Sequence, residues 1–351
     1  MKQIITILLL TLTNFLYAQE YIEIPFDYKN NLINIKVEMH GKKEDFIFDT
    51  GAMNVFTKKF ADSKNLILKK SKARGYIGKT EAFKTTLENF SLFGKNLKNV
   101  NFRVIDWEHV NKLNVAGLIG PEVVRMLGYN ILTIDYKNQK LILGNQIPEK
   151  YDFSFNMYKM GNPRILLDKT SFKIDTGNPL YGESNSKNFI TNKKCEQLSY
   201  YSFTFSNHNA NLCENLIQDL SGKSFNFNHF IFEKNPKNII GNLVLQNYLV
   251  QIDFMNRKIF LTKNEFYPIL DDIYFVKDDK GFFVALINEK SEIYNKGVKE
   301  GEYLENSIGL DLNKLKSVAE LHRFILNNEK TDLVIRKSDN SILQLKNIKI
   351  N

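Results

Sequence analysis

The sequence has little of what metal sites and disulfide-rich folds require. Its 351 residues include two cysteines and five histidines. The histidines show no metal-ligand spacing, so a zinc site is not expected, and we expect neither a metal nor another cofactor. A single disulfide between Cys195 and Cys213, closing a short loop, fits an oxidising compartment. Metal binding by this pair is the weaker interpretation.

Long hydrophobic runs are also missing. The run over residues 4–16 has thirteen residues, whereas a helix needs roughly 20 apolar residues to span a bilayer. It follows Lys2 and precedes the small residue Ala18, which is typical of a secretory signal peptide over residues 1–19. We therefore expect an exported protein, periplasmic or extracellular, with no membrane span in the mature chain.

The positive charges are not concentrated in any one segment. The formal net charge is +9, to which the signal-like segment contributes only Lys2. A nucleic-acid-binding protein would show a basic stripe or a recognisable module, and neither is present. We interpret the charge as a solvated basic surface and expect no nucleic-acid partner. We also expect a monomer.

Short runs of alternating apolar and polar residues predict an all-β protein, and this pattern contains an internal repeat. Residues 131–143 align without gaps on residues 249–261. Each copy predicts a β-hairpin that turns at an Asn, and we interpret Asp135 and Asp253 as turn residues that bind backbone amides. The identical pairs are Ile134/Ile252, Asp135/Asp253, Asn138/Asn256, Lys140/Lys258 and Leu143/Leu261.

Two further elements recur upstream of each hairpin. Residues 46–52 read Phe-Ile-Phe-Asp-Thr-Gly-Ala and residues 172–178 read Phe-Lys-Ile-Asp-Thr-Gly-Asn. An apolar-apolar-Gly element then ends at Gly120 in the first copy and at Gly241 in the second. Because the elements recur in one order at nearly one spacing, the sequence predicts two homologous lobes over residues 20–148 and 149–264.

The two Asp-Thr-Gly triplets supply a pair of carboxylates, Asp49 and Asp175. Two carboxylates held within hydrogen-bonding distance cannot both ionise, so they share one proton. The ionised member can activate water while the protonated member donates a proton. This pattern predicts hydrolysis by an Asp49/Asp175 dyad.

These motifs resemble the aspartic peptidases of the pepsin and retropepsin kind, over roughly residues 20–263. The resemblance implies a mainly β fold with two acid-protease β-barrel lobes, and an endopeptidase acting on polypeptide substrates. Ala52 matches the retropepsin form of the triplet, whereas Asn178 departs from the Ala, Ser or Thr usual there. The flap would be a first-lobe hairpin with Tyr76 and Gly78 at its turn. The supporting active-site residues implied are Thr50, Gly51, Ala52, Thr176 and Gly177.

Residues 270–351 form a separate unit that resembles a PDZ domain of bacterial exported proteases. The resemblance implies that Gly281, Phe282, Phe283 and Val284 form a carboxylate-binding loop and its strand. The other groove wall would be a helix, for which residues 317–320 supply a capping box. Such a groove binds a chain-end peptide by strand addition.

Two alternatives to a two-lobed peptidase remain open. The chain could be a non-catalytic peptide-binding or scaffold protein that keeps the fold and uses its PDZ-like groove, which the unusual Asn178 favours. Alternatively, only the first lobe could be active, in dimers similar to those of retropepsins. The presence of Asp175 in the same chain makes a dimer less necessary.

Overall fold

The protein is mainly β, as the sequence predicts. Among the described residues, no helix is sufficiently long and apolar to cross a membrane. The signal-like segment and Tyr76 lie outside the described residues. The computed structural model describes residues 21–350 except 40, 76–77, 107–113, 160, 168–169, 186–194, 203–204, 233–237, 265–269, 271, 279, 308 and 316–317.

The elements fall into three consecutive groups. The first contains β1 (Ile22–Lys29), β2 (Leu32–Met39), β3 (Lys42–Phe48), β4 (Val55–Thr57), α1 (Lys58–Ser63), β5 (Lys69–Gly75), β6 (Gly78–Leu92), β7 (Lys95–Ile105), β8 (Gly117–Ile119), α2 (Glu122–Met126), β9 (Ile131–Asp135) and β10 (Lys140–Gly144). The second contains β11 (Phe153–Lys159), β12 (Arg164–Leu167), β13 (Thr170–Ile174), β14 (Gly182–Asn185), β15 (Cys195–Ser202), β16 (Phe205–Gln218), β17 (Ser224–Phe232), β18 (Ile239–Ile240), α3 (Asn242–Leu245), β19 (Tyr248–Asp253) and β20 (Lys258–Lys263). The third contains β21 (Ile273–Asp278), β22 (Gly281–Asn288), α4 (Glu292–Asn295), β23 (Tyr303–Ser307), a 3-10 turn (Leu312–Lys314), α5 (Val318–Leu326), β24 (Thr331–Arg336) and β25 (Ile342–Ile348).

The first two groups have matching strand connections. In the first, β3 runs parallel to β8, which pairs antiparallel with β4, and β4 runs parallel to β7. In the second, β13, β18, β14 and β17 make the same three pairings in the same senses. Both Asp-Thr-Gly triplets therefore follow the first strand of an equivalent parallel pair.

A six-stranded antiparallel sheet joins the two groups. Its order is β1, β10, β9, β19, β20 and β11. The central seam pairs β9 with β19, and Ile134 lies opposite Val250. Both residues are fully buried, so the repeated hairpins of the two groups share one hydrophobic core.

The repeated hairpins turn through equivalent residues. Gln139 and Arg257 both adopt positive φ, at 50° and 53°. Asp135 accepts a hydrogen bond from the Asn138 amide at 3.0 Å, and Asp253 accepts the equivalent bond from Asn256 at 2.8 Å. Both aspartates therefore stabilise turns by binding backbone amides.

The third group packs directly on the first two. One face of its β21–β22 hairpin, including Tyr274 and Phe283, lies in the core shared by the first two groups. The opposite face, including Phe275 and Val284, belongs to a separate core with Leu321 of α5. The hairpin is buried on both faces, which accounts for its almost continuous apolar sequence.

This packing differs from the predicted peptide-binding role of Gly281, Phe282, Phe283 and Val284. The last three side chains are buried. Phe282 and Phe283 pair with β21 on one side and with β23 on the other, and the end of β22 pairs with β15. The edge of β22 that strand addition would need is therefore occupied by the chain's own strands.

Candidate active site

Asp49 and Asp175 lie at equivalent places, immediately after β3 and β13. The Asp49 amide donates to the carbonyl of Ile119 at 2.9 Å, and the Asp175 amide donates to that of Ile240 at 3.0 Å. Each parallel neighbour, β8 or β18, therefore extends its hydrogen bonding to the aspartate itself. The two loops meet between the first two groups, and each carboxyl group lies against the glycine of the other triplet, close enough to affect the pKa of the other carboxyl group.

The two threonines of the triplets brace the loops against each other. The Thr50 amide donates to the Thr176 hydroxyl at 2.9 Å, and the Thr176 amide donates to the Thr50 hydroxyl at 3.1 Å. Each hydroxyl also donates at 2.8 Å across the junction, that of Thr50 to the Ile174 carbonyl and that of Thr176 to the Phe48 carbonyl. Both threonines are fully buried, so four water-excluded hydrogen bonds fix the relative position of the aspartates.

Gly51 and Gly177 allow the close approach of the two loops. Each amide donates to the carboxylate of its own triplet, Gly51 to Asp49 at 2.7 Å and Gly177 to Asp175 at 3.2 Å. A Cβ on Gly51 would lie 2.3 Å from the Asp175 carboxylate, and one on Gly177 would lie 2.2 Å from the Asp49 carboxylate. Neither has positive φ, so the missing side chain is what the site requires.

The glycines of the apolar-apolar-Gly elements also lie against the loops. A Cβ on Gly120 would lie 2.5 Å from the Ala52 carbonyl oxygen, and one on Gly241 would lie 2.3 Å from that of Leu180. Each strand therefore passes directly beneath its loop. The amide of Ala52 donates to the Asp49 carbonyl at 3.2 Å, as that of Asn178 does to the Asp175 carbonyl at 3.1 Å. The backbone turns alike in both loops despite the different residues.

Asn178 does not disturb the second loop. Its side-chain oxygen accepts from the Leu180 amide at 2.8 Å, and its side-chain nitrogen donates to Glu183 at 3.1 Å. Both contacts hold the chain that leaves the triplet. The residue that looked unusual in the sequence therefore has a local structural role.

The two carboxyl groups have opposite electrostatic properties. Burial, followed by the negative charge of Asp175, raises the pKa of Asp49 well above its ordinary value. Burial also favours the neutral form of Asp175, but the charge and hydrogen bond of Lys173 outweigh this effect and lower the Asp175 pKa. Lys173, which contacts Asp175 Oδ2 at 2.5 Å, therefore favours the ionised form of Asp175 over that of Asp49.

Lys173 was not identified from the sequence as a site residue. Its Nζ lies 2.5 Å from Asp175 Oδ2, and the two side chains are 13% and 9% exposed. It also donates to the Gly51 carbonyl at 3.2 Å, which accepts a second bond from Asn162 at 2.7 Å. The available signal was the repeat itself, because Lys173 stands where the first copy has Ile47.

A buried amide supports the second loop from behind. Asn242 donates to the Thr176 carbonyl at 2.7 Å and to the Asn31 carbonyl at 2.5 Å. Asn31 in turn donates to the Pro179 carbonyl at 3.0 Å and accepts from the Tyr274 hydroxyl at 2.8 Å. A residue of β21 is thus joined to the active-site loop by a short chain of hydrogen bonds.

The other residues that the sequence singled out belong to elements outside the two Asp-Thr-Gly loops. Gly78 pairs with Gly75 at the end of the β5–β6 hairpin, which is the predicted flap. Cys213 is disulfide-bonded, and Cys195 lies directly opposite it in the β15–β16 pair. Gly281 and the three residues after it belong to the third group, as described above.

Comparison with known proteins concerns the segment that contains the first Asp-Thr-Gly loop. Residues 35–129 match the family model described as aspartyl protease. The matched segment contains Asp49 and ends before Asp175. No curated protein matches the chain significantly. The family match supports an aspartic peptidase, and thus protease activity in general.

Proposed function

We propose that the protein is an exported aspartic endopeptidase that hydrolyses peptide bonds with the Asp49/Asp175 dyad. The observation that carries this proposal is the reciprocal bracing of Thr50 and Thr176, which holds two buried carboxyl groups in contact. A buried charge is costly unless it is paired and hydrogen-bonded, so two ionised carboxylates side by side are disfavoured and one shared proton is expected. The shared proton is the property that acid-base hydrolysis needs.

The reaction follows from the different states of the two carboxyl groups. Asp175 takes a proton from a water molecule, whose oxygen attacks the peptide carbonyl carbon, while Asp49 donates its proton to the carbonyl oxygen. The resulting diol collapses when Asp175 gives its proton to the leaving nitrogen and the C–N bond breaks. A diol hydroxyl then returns a proton to Asp49, so the dyad regains its starting state.

The structural observations favour this proposal over the two alternatives. Asn178 is the main support for a non-catalytic scaffold, but its side chain bonds to Leu180 and Glu183 and leaves the carboxyl pair intact. An active dimer of first lobes is unnecessary because Thr176 of the same chain supplies the partner for Thr50. The intramolecular dyad therefore remains our proposal.

Cleavage of an unfolded protein by the purified chain, over an acid-to-neutral pH series, tests this function. Asp49→Asn and Asp175→Asn should each abolish cleavage, because each removes one member of the proton-sharing pair. Asp135→Asn is the matched control, since it makes the same chemical change in an intermediate-exposure hairpin turn and should retain activity. An inert wild type would refute the peptidase, and an active Asp175→Asn variant would refute the intramolecular dyad.

A further inference from the structure

The strand that leads into the second triplet carries a lysine where its counterpart carries an apolar residue. Ile47 and Lys173 both stand two positions before their aspartate. Ile47 is 3% exposed and packs in an apolar cluster with Val55 and Leu118. The two halves of the site are therefore chemically unequal at this position, although their strand pairings match.

Lys173 is directed at the reacting groups rather than at solvent. Its ammonium contacts Asp175 Oδ2 at 2.5 Å and the Gly51 carbonyl at 3.2 Å, so it bridges the two loops. The pair is largely buried. A buried ammonium is costly to desolvate, and close anionic and carbonyl partners are needed to offset that cost.

The charges around this ammonium define a small electrostatic unit. Asp175 is the carboxylate that pairs with Lys173, Asp49 lies near enough to act on it, and Arg164, its partner across the β12–β13 pair, is a nearby cation. The amides of Gly51 and Gly177 donate to the two carboxyl groups. The cation touches the Asp175 carboxylate directly and acts on Asp49 through space.

We propose that Lys173 is a positioning residue that holds the negative charge of the dyad on Asp175 and thereby leaves the shared proton on Asp49. This inference rests on the proposed peptidase function for its catalytic meaning, but its electrostatic content is independent of activity. The contact with a single carboxylate oxygen makes the dyad asymmetric before substrate binds. Asp175 is thus the base and Asp49 the proton donor from the start.

A cation at this place also changes the pH range of the active form. The dyad works while it holds one proton. Because the Lys173 charge and hydrogen bond lower the Asp175 pKa, the singly charged form persists to lower pH than it would without the lysine. Removal of the charge makes both carboxyl groups harder to ionise, so the acid limb of the pH–rate profile should move to higher pH.

Three variants separate the charge of Lys173 from its bracing contact. Lys173→Met removes the charge with a side chain of similar length, and Lys173→Arg retains a cation. Asn162→Ala is the matched control, because it removes the other donor to the Gly51 carbonyl, at 2.7 Å, without changing any charge. Carboxyl carbons of ¹³C-labelled aspartate are followed by NMR across pH, with Asp49→Asn and Asp175→Asn used to assign the two resonances.

The expected result is that Asp175 titrates at lower pH than Asp49 in the wild type. Lys173→Met should move the Asp175 titration to higher pH than in the wild type. In Lys173→Arg and in Asn162→Ala, Asp175 should titrate at the same pH as in the wild type. The acid limb of the pH–rate profile should move in the same direction.

An unchanged Asp175 titration in Lys173→Met, or a wild type in which Asp49 is the ionised member, would overturn the proposal. If Lys173→Met does not fold, a wild type in which Asp49 is the ionised member still overturns the proposal. Titrations as expected in an inert protein would refute the peptidase and leave the electrostatic inference standing.

Discussion

The bracing between the two loops makes Thr176→Val a sharp test of what holds the dyad together. Valine matches threonine in shape but has no hydroxyl. The substitution leaves the Thr50 amide without its acceptor and the Phe48 carbonyl without its donor, in a place from which water is excluded. Each buried polar group left unsatisfied costs about 1–3 kcal/mol. The free energy of unfolding should therefore fall by about 2–6 kcal/mol, a large part of the roughly 5–15 kcal/mol typical of a native protein.

Chemical denaturation followed by far-UV circular dichroism measures this loss. Thr176→Ser keeps the hydroxyl and removes only a buried methyl group, so it should cost about 1 kcal/mol. Thr86→Val is the surface control, because the Thr86 hydroxyl makes an exposed hydrogen bond to Asn101, and its effect should stay within about 0.5 kcal/mol. If Thr176→Val cost no more than Thr86→Val, the bracing would not hold the loops and our reasoning would be wrong.

Two further predictions follow from close contacts near the site. Gly177→Ala places a Cβ 2.2 Å from the Asp49 carboxylate and should abolish cleavage of an unfolded protein, whereas Gly161→Ala, whose Cβ would meet nothing within 4 Å, should not. An active Gly177→Ala variant would contradict the close approach. Tyr274→Phe removes the buried hydrogen bond to Asn31 and should lower the free energy of unfolding by about 1–2 kcal/mol; no change on chemical denaturation would mean that this bond contributes nothing to stability.

The features that could be read from the sequence are those that depend on local pattern and repetition. The mainly β character came from alternating residues, and the repeat identified Asp135 and Asp253 as equivalent turn residues. The Asp-Thr-Gly triplets marked Asp49 and Asp175 as equivalent positions. In each case the chemistry lies within a few consecutive residues, so no knowledge of distant neighbours was needed.

The features that could not be predicted from the sequence depend on partners far away in the chain. Lys173 reads as a solvated strand residue until the loop carrying Gly51 is placed against it. Phe282 and Phe283 read as a groove strand, because their sequence does not show that β15 and β23 pair with that strand. The role of Gly177 is likewise set by the Asp49 carboxylate of the other loop, which lies far away in the sequence.

The seam between β9 and β19 has a consequence for the order in which the protein can be made. Ile134 of β9 lies opposite Val250 of β19, which is far later in the chain. During synthesis, one edge of β9 therefore stays unpaired until β19 has been made. An apolar strand with a free edge is a template for pairing with other chains, and such long-range pairing forms slowly. The nascent first group therefore carries an aggregation risk until the second group has been made, and the risk ends when the sheet that joins the two groups is complete.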